Sequence, residues 1–172
     1  LDLLGTTIPQ DIAIELQVDP DCPPVQADPT QLQQIITNLL TNAVHAVNQK
    51  TGVISLQVKD INLAEAMTTL TGRLHAGRYV EILVIDNGIG IPEEHRDRLL
   101  DPFFTTKEVG RGTGLGLSIV HGVVKHSMGG LLIDSEQAKG TKVTVLLPVS
   151  NHDPVTVIPA QVAGADTVAV ET

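Results

Sequence analysis

"GRGTGLGLS", residues 110–118, sets glycine at every second position (Gly110, Gly112, Gly114, Gly116) directly before an apolar run. Glycine at that density does not hold a strand or helix interior together, so the stretch is a loop. A glycine-rich loop that opens a helix gathers backbone N–H groups where a phosphate can sit. Two phosphate-binding spacings can be tested. A dinucleotide fingerprint, G-x-G-x-x-G, needs a third glycine where this chain has Leu115, Leu117 or Ile119. A P-loop needs a second glycine five residues on, where the chain has Leu115 or Leu117. Both fail, so the fold must be read from the flanking chain.

Downstream, "LGLSIVHGVVKHS" (115–127) predicts a helix with Leu115, Ile119 and Val123 on one side, and "GGLLIDSE" and "GTKVTVLLP" predict an antiparallel strand pair. Upstream, "YVEILVID" (79–86) is a strand running into the turn "NGIGIP", and residues 93–100 predict a short helix after Pro92. "VISLQV" (53–58) alternates as a strand, and 61–77 reads as an irregular connection with a short helix over 63–70. The long segment "ADPTQLQQIITNLLTNAVHAVNQK" has Asp28 as N-cap, Pro29 in the first helical position and Gln31 completing a capping-box pattern. Leu32, Ile35, Ile36, Leu39, Leu40, Ala43, Val44 and Val47 then recur at helical spacing. Before it, "DIAIELQV" (11–18) alternates Ile12, Ile14, Leu16 and Val18 as a strand. The order β-α-β-β-α-loop-α-β-β pairs its strands instead of repeating β-α-β, which predicts an α+β fold: a two-layer sandwich with helices on one face of a mixed, mostly antiparallel sheet.

Composition narrows the function. A formal net charge of −9 argues against nucleic-acid binding and against contact with an anionic membrane, since phosphate surfaces need a basic partner. Aromatic residues make up 2%, too few for base-stacking platforms, so the core is aliphatic. Cys22 is the only cysteine, which leaves no internal disulfide and no cysteine metal site. No apolar run has the length of a membrane span and no signal peptide opens the chain, so the expectation is a cytoplasmic domain. The start "LDLLGTT" reads as a cut from a longer protein.

Four constellations can carry chemistry. In "NLLTNAVHAV", Asn38, Asn42 and His45 lie opposite the apolar stripe; a solvated polar face would look the same, but asparagine is a poor helix former, and an amide oxygen suits Mg²⁺. In "VIDNGIGIP", Asp86 ends an apolar strand and meets Gly88 and Gly90. An ordinary turn is one reading; a buried acceptor for an exocyclic amine, approached closely over glycine, is the other. "PFFTTKEVGRGTGLGLS" surrounds the opening loop with Lys107 and Arg111, and Phe103 and Phe104 are expected to anchor its hinge. In "GTKVTVLLP", Thr141 is either a plain hairpin residue or a water-mediated ligand contact.

In this order the four pieces resemble the ATP-binding catalytic domain of bacterial sensor histidine kinases: the N box (Asn38 to Ala46), G1 box (Asp86 to Gly90), F box (Phe103 to Lys107) and G2 box (Gly110 to Gly116). The resemblance runs from about Ile12 to Pro148. Singly each motif is weak or moderate; four in order, correctly placed on helix and strand, are specific. The resemblance implies the Bergerat fold, with ATP and Mg²⁺ bound. It implies Asn42 as the main Mg²⁺ ligand and a catalytic residue, with Asn38 as a second amide nearby. Asp86 would bond the adenine amine, Gly88 and Gly90 would shape the pocket, and Thr141 would sit beside it. The catalytic Lys107, Arg111 and the glycines of the opening loop (Gly110, Gly112, Gly114 and Gly116) would form a mobile lid over the phosphates, and Thr106, Thr113 and Leu115 would also bind the nucleotide. Where the family often has a basic residue three positions after the second asparagine, this chain has His45, whose charge depends on pH. "KHSMGG" is also one residue longer than the usual helix end.

The resemblance further implies transfer of the γ-phosphoryl group to a histidine on a separate dimerising helical domain, and onward to a response-regulator receiver domain. None of the six histidines here is a fitting acceptor, because the family's acceptor is followed by an acidic residue on an amphipathic helix. Only His152 precedes an acid, and it lies in a proline-containing tail. Residues 1–150 are expected to form the catalytic domain and 151–172 a linker or tail, leading to a receiver domain if the parent is a hybrid kinase. A nucleotide-binding regulatory module without catalysis is the alternative. The topoisomerase-like ATPase branch is disfavoured, since its helix carries a catalytic glutamate where this one has Gln33, Gln34 and Thr37.

Overall fold

The computed structural model describes residues 12–47, 51–104 and 114–150. In chain order it contains β1 (Ala13–Val18), α1 (Pro29–Ala46), β2 (Val53–Leu63), the short pair β3 (Met67–Thr69) and β4 (Gly72–Leu74), β5 (Gly77–Asp86), a 3-10 helix (Glu93–Arg98), α2 (Gly116–His126), β6 (Gly130–Glu136) and β7 (Gly140–Pro148). Five strands form one sheet in the order β1-β2-β5-β7-β6, with β1 parallel to β2 and every other pairing antiparallel. This is the expected α+β sandwich with a mixed, mostly antiparallel sheet.

Period-2 alternation in the strands meets helical spacing in the main core. Ile54 and Leu56 of β2, Ile82 and Val84 of β5, Val145 and Leu147 of β7 and Leu131 of β6 pack with Ile35, Leu39, Leu40 and Ala43 of α1 and Val120 and Val124 of α2. Each of the Val, Leu and Ile side chains contributes on the order of 1.5–3 kcal/mol relative to exposure, and Ala43 less. α1 begins as its sequence dictates: the Asp28 carboxylate accepts from the N–H groups of Thr30 (2.8 Å) and Gln31 (3.3 Å), with Pro29 opening the helix.

The structure corrects the expectation for residues 61–77. They hold no helix: β2 runs on to Leu63, and β3 and β4 form a hairpin turning at Leu70–Thr71, with Gly72 at φ 134°. A second small core decides this, because Leu63, Met67 and Leu74 pack on Tyr79 and Leu146. The short helix expected over 93–100 is a 3-10 turn over Glu93–Arg98. Ile14, Leu16 and Val18 alternate in β1 as expected but stay 39%, 41% and 53% exposed, because β1 is the edge of the sheet.

The stretch "KHSMGG" ends α2. The Gly129 N–H donates to Val124 O (2.8 Å) and the Met128 N–H to Lys125 O (3.1 Å), which places Met128 in the left-handed position (φ 53°) that helix ends reserve for glycine. The next position requires glycine for a different reason, because a Cβ on Gly129 would lie 2.5 Å from Leu146 O. Met128→Gly is therefore expected to stabilise the fold by about 0.5–1 kcal/mol in urea denaturation, as left-handed strain is released against some chain entropy.

Candidate functional site

The site forms where β5 ends. Asp86 is buried, and its carboxylate accepts the Gly88 N–H at 2.9 Å and the backbone N–H of Thr141, its cross-strand neighbour in β7. Burial pushes the carboxyl above the ordinary 3.8, and the two N–H groups pull it back only in part. The folded state therefore holds this proton more tightly than the unfolded chain. On this account stability is greatest below 3.8 and is lost as pH rises through the elevated value; above it the buried charge is a standing cost. A ligand that donates a hydrogen bond to the carboxylate offsets that cost.

Glycines let three backbones converge there. A Cβ on Gly88 would lie 2.5 Å from Ala46 O, one on Gly90 (φ 65°) 2.0 Å from Glu136 O, and one on Gly140 (φ 108°) 2.0 Å from Asp86 O. The Ile89 N–H donates to Ala46 O (3.0 Å) and the Ala138 N–H to Ile89 O (2.8 Å), so the turn after β5 is fastened to α1 on one side and to the β6–β7 hairpin on the other.

α1 brings the two asparagines. Asn42 lies one helical turn before Ala46, where the turn docks, and Asn38 one turn before that. Both amides face the start of α2: a Cβ on Gly116 would stand 3.2 Å from Asn38 Oδ1 and 3.5 Å from Asn42 Nδ2. Asn38 donates its Nδ2 to Gln34 O (2.9 Å), which leaves its Oδ1 as the outward acceptor. Among the described residues no three His, Cys, Asp or Glu side chains cluster as a metal site. The neutral amides nevertheless fit Mg²⁺ bound together with a nucleotide, which takes only one or two protein oxygens.

The structure thus brings together Asn38, Asn42, Asp86, Gly88, Gly90, Gly116 and Thr141, with His45 exposed in the last turn of α1. Gly114 (φ 65°) accepts the Phe103 N–H at 3.0 Å, and Leu115 precedes α2. Thr106, Lys107, Arg111, Gly112 and Thr113 lie outside the described residues. One expectation is corrected: Phe103 does not anchor the hinge by packing, being 74% exposed at φ 67°. Phe104 packs instead, with the His95 ring 5.5 Å away and the Arg98 guanidinium 4.4 Å over its face.

Sequence reasoning missed two residues. Asn87 accepts the Val53 N–H (2.8 Å) and donates to Thr51 O (3.0 Å), tying the turn to the start of β2. Ser135, in β6, bonds Ile91, Gly140 and Thr141. The signal for Ser135 was its register: with the hairpin closed at Glu136 and Gly140, it falls opposite Thr141.

Gly88→Ala is expected to cost about 1–3 kcal/mol, because its Cβ meets rigid α1 backbone. Gly122→Ala, in open space on α2, is expected to gain about 0.5–1 kcal/mol. Urea denaturation of the two variants checks both signs.

Known proteins place this arrangement. Residues 27–151 match the family described as histidine kinase-, DNA gyrase B-, and HSP90-like ATPase. The chain is similar to the sensor kinase CckA of Brucella abortus, 40% identical over 146 residues that span 85% of this chain and 15% of CckA. Among solved structures it is similar to the nucleotide-free catalytic domain of the histidine kinase ThkA, at 28% identity and a TM-score of 0.63 over 81% of this chain and 80% of that one. It is also similar to full-length ShkA in complex with AMPPNP, at 27% identity and a TM-score of 0.59 over 81% of this chain and 26% of ShkA.

Proposed function

The chain belongs to the histidine kinase-, DNA gyrase B- and HSP90-like ATPase family, and from that premise we propose that it binds ATP with Mg²⁺ and donates the γ-phosphoryl group to a histidine on a separate helical domain. The observation that carries this is Asp86: a buried carboxylate at a strand end, held by two backbone N–H groups, beside a helix that presents two amides. The similarity to ShkA, which was solved with an ATP analogue, supports the nucleotide.

In this reading the adenine amine donates to Asp86, with Gly88 and Gly90, seated against Ala46 and Glu136, setting the backbone path that shapes the pocket, and Thr141 at its edge. Asn42, with Asn38 beside it, would hold Mg²⁺, which neutralises phosphate charge. Gly114, Leu115 and Gly116 present backbone N–H groups at the start of α2, where a phosphate is favoured. Lys107 and Arg111 add the cations that spread the developing charge, with Thr106, Gly112 and Thr113 in the same covering segment, and His45 contributes to phosphate binding only when protonated. As the bond from the γ-phosphorus to the bridging oxygen breaks, a bond to the acceptor imidazole nitrogen forms, and ADP leaves. The acceptor's dimerising helical domain, a receiver domain as the next partner, a cytoplasmic setting, and the division at residue 150 belong to the same proposal. Among the described residues no helix is long and apolar enough to cross a membrane.

Calorimetry checks the site. Asp86→Asn is expected to weaken ATP binding on the order of 10- to 100-fold, the worth of a hydrogen bond to a charged group. Asn42→Ala is expected to weaken it only when Mg²⁺ is present. Wild-type affinity should fall as pH drops into the raised titration range of Asp86, above 3.8, because the protonated carboxyl no longer offers only acceptors. The Asp86→Asn variant should lack that dependence. Absence of ATP binding by the wild type would refute the proposal.

Transfer is a separate prediction. Mixed with the helical domain of its own parent, the ATP-bound chain is expected to produce acid-labile phosphohistidine, and alone to show little turnover. A folded, ATP-bound mixture without transfer would favour a regulatory nucleotide-binding module.

A further inference from the structure

Asp86, Thr141 and Ser135 stand in one row across the sheet, on β5, β7 and β6. Ser135 is buried, and its Oγ has three partners: the Ile91 N–H at 2.9 Å, the Gly140 carbonyl at 3.0 Å and the Thr141 hydroxyl at 2.9 Å. A serine hydroxyl has one proton and two lone pairs. The Gly140 carbonyl can only accept, so the Ser135 proton goes there. The Ile91 N–H can only donate, so it occupies one lone pair. The second lone pair is left for Thr141, and the proton bridging that 2.9 Å contact must come from Thr141 itself.

The Thr141 proton is therefore committed to Ser135, and its oxygen meets any ligand only as an acceptor. An unrestrained hydroxyl would turn to suit either a donor or an acceptor. Here it cannot, and its cross-strand neighbour Asp86 is, when ionised, another group with acceptors alone. Two acceptors side by side favour a base edge that donates, directly or through water, such as the adenine amine. They oppose the guanine carbonyl at the same position, which would face them with no proton between.

We propose that Ser135 is a positioning residue for nucleotide specificity: by taking the Thr141 proton it fixes that hydroxyl as an acceptor and makes the site prefer adenine over guanine nucleotides. This rests on the reading of Asp86 and Thr141 as the base edge given above. Ser135 touches no nucleotide; its effect passes through Thr141.

The test is the ratio of ATP to GTP affinity, measured by calorimetry with Mg²⁺. Ser135→Ala frees the Thr141 hydroxyl to donate and should narrow the ratio about tenfold, the worth of one hydrogen bond changing direction. Ser135→Thr keeps the hydroxyl and should restore the ratio. Thr141→Val should weaken ATP and, with the acceptor that opposes the guanine carbonyl removed, strengthen GTP, and Ser135→Ala added to Thr141→Val should change the ratio no further, which closes a double-mutant cycle. If Ser135→Ala does not fold, Thr141→Val decides alone, and equal weakening of ATP and GTP overturns the proposal. So does a Ser135→Ala variant that loses both nucleotides equally, a ratio change that persists without the Thr141 hydroxyl, or a wild type with no preference. Asp86→Asn keeps the two claims apart: unchanged ATP binding there removes the base-edge reading, whereas failure of the Ser135 arms beside a damaged Asp86→Asn removes only the role of Ser135.

Discussion

The end of β5 is where three backbones approach closer than any side chain would allow, and the rest of the site depends on that crossing. Gly88 lies against the last turn of α1, Gly90 against Glu136, and Gly140 against the carbonyl of Asp86 itself. With the turn held on both sides, its N–H groups have fixed directions, and two donors, Gly88 and Thr141, converge on the Asp86 carboxylate. A charge can be kept in so dry a place only because those donors are prepaid in the fold. They do not satisfy it fully, since burial still raises the carboxyl's proton affinity. In the proposed reading, that residual demand for a donor is what suits this strand end to a ligand that donates.

Much of this was legible in the chain because it is local. α1 declares its start with Asp28 and Pro29 and its buried face by spacing; β5 and the β6–β7 pair alternate or run apolar over enough residues to leave no other reading. The candidate residues on α1, β5 and β7 come together as the motif order implied. What could not be read depends on partners distant in sequence. Residues 63–70 contain good helix formers, and only their packing on Tyr79 and Leu146 makes them a hairpin. Asn87 looks like a turn residue until β2, 34 positions earlier, supplies the groups it ties. Phe103 and Phe104 are indistinguishable as letters, yet a left-handed backbone at Phe103 turns one ring out while the other packs.

Ser135 belongs to the same class of hidden residue, for a different reason. A serine in "IDSE" carries no signal by type, and its importance is a matter of proton count: three neighbours, one hydrogen, and only one assignment that satisfies them all. Specificity of this kind costs little stability, because every group is bonded in either ligand state. It acts by refusing the wrong partner more than by rewarding the right one.

The charges of the site follow one logic. The chain carries a formal −9, and its proposed substrate is a polyanion, so association cannot rely on the overall field. In the proposed reading, binding is built from short-range donors: backbone N–H groups at the start of α2 and the cations Lys107 and Arg111. The metal side is consistent with this. Asn38 and Asn42 offer oxygen without charge, so they give a bare Mg²⁺ little reason to stay. The phosphates must bring the negative charge that holds it. Under the proposal, a site of neutral amides would couple the two ligands, metal and nucleotide each binding well only with the other. Carboxylates in those two positions would add to a net charge that is already negative and repel the phosphates the site exists to receive, so the choice of asparagine follows from the substrate's charge as much as from the metal's.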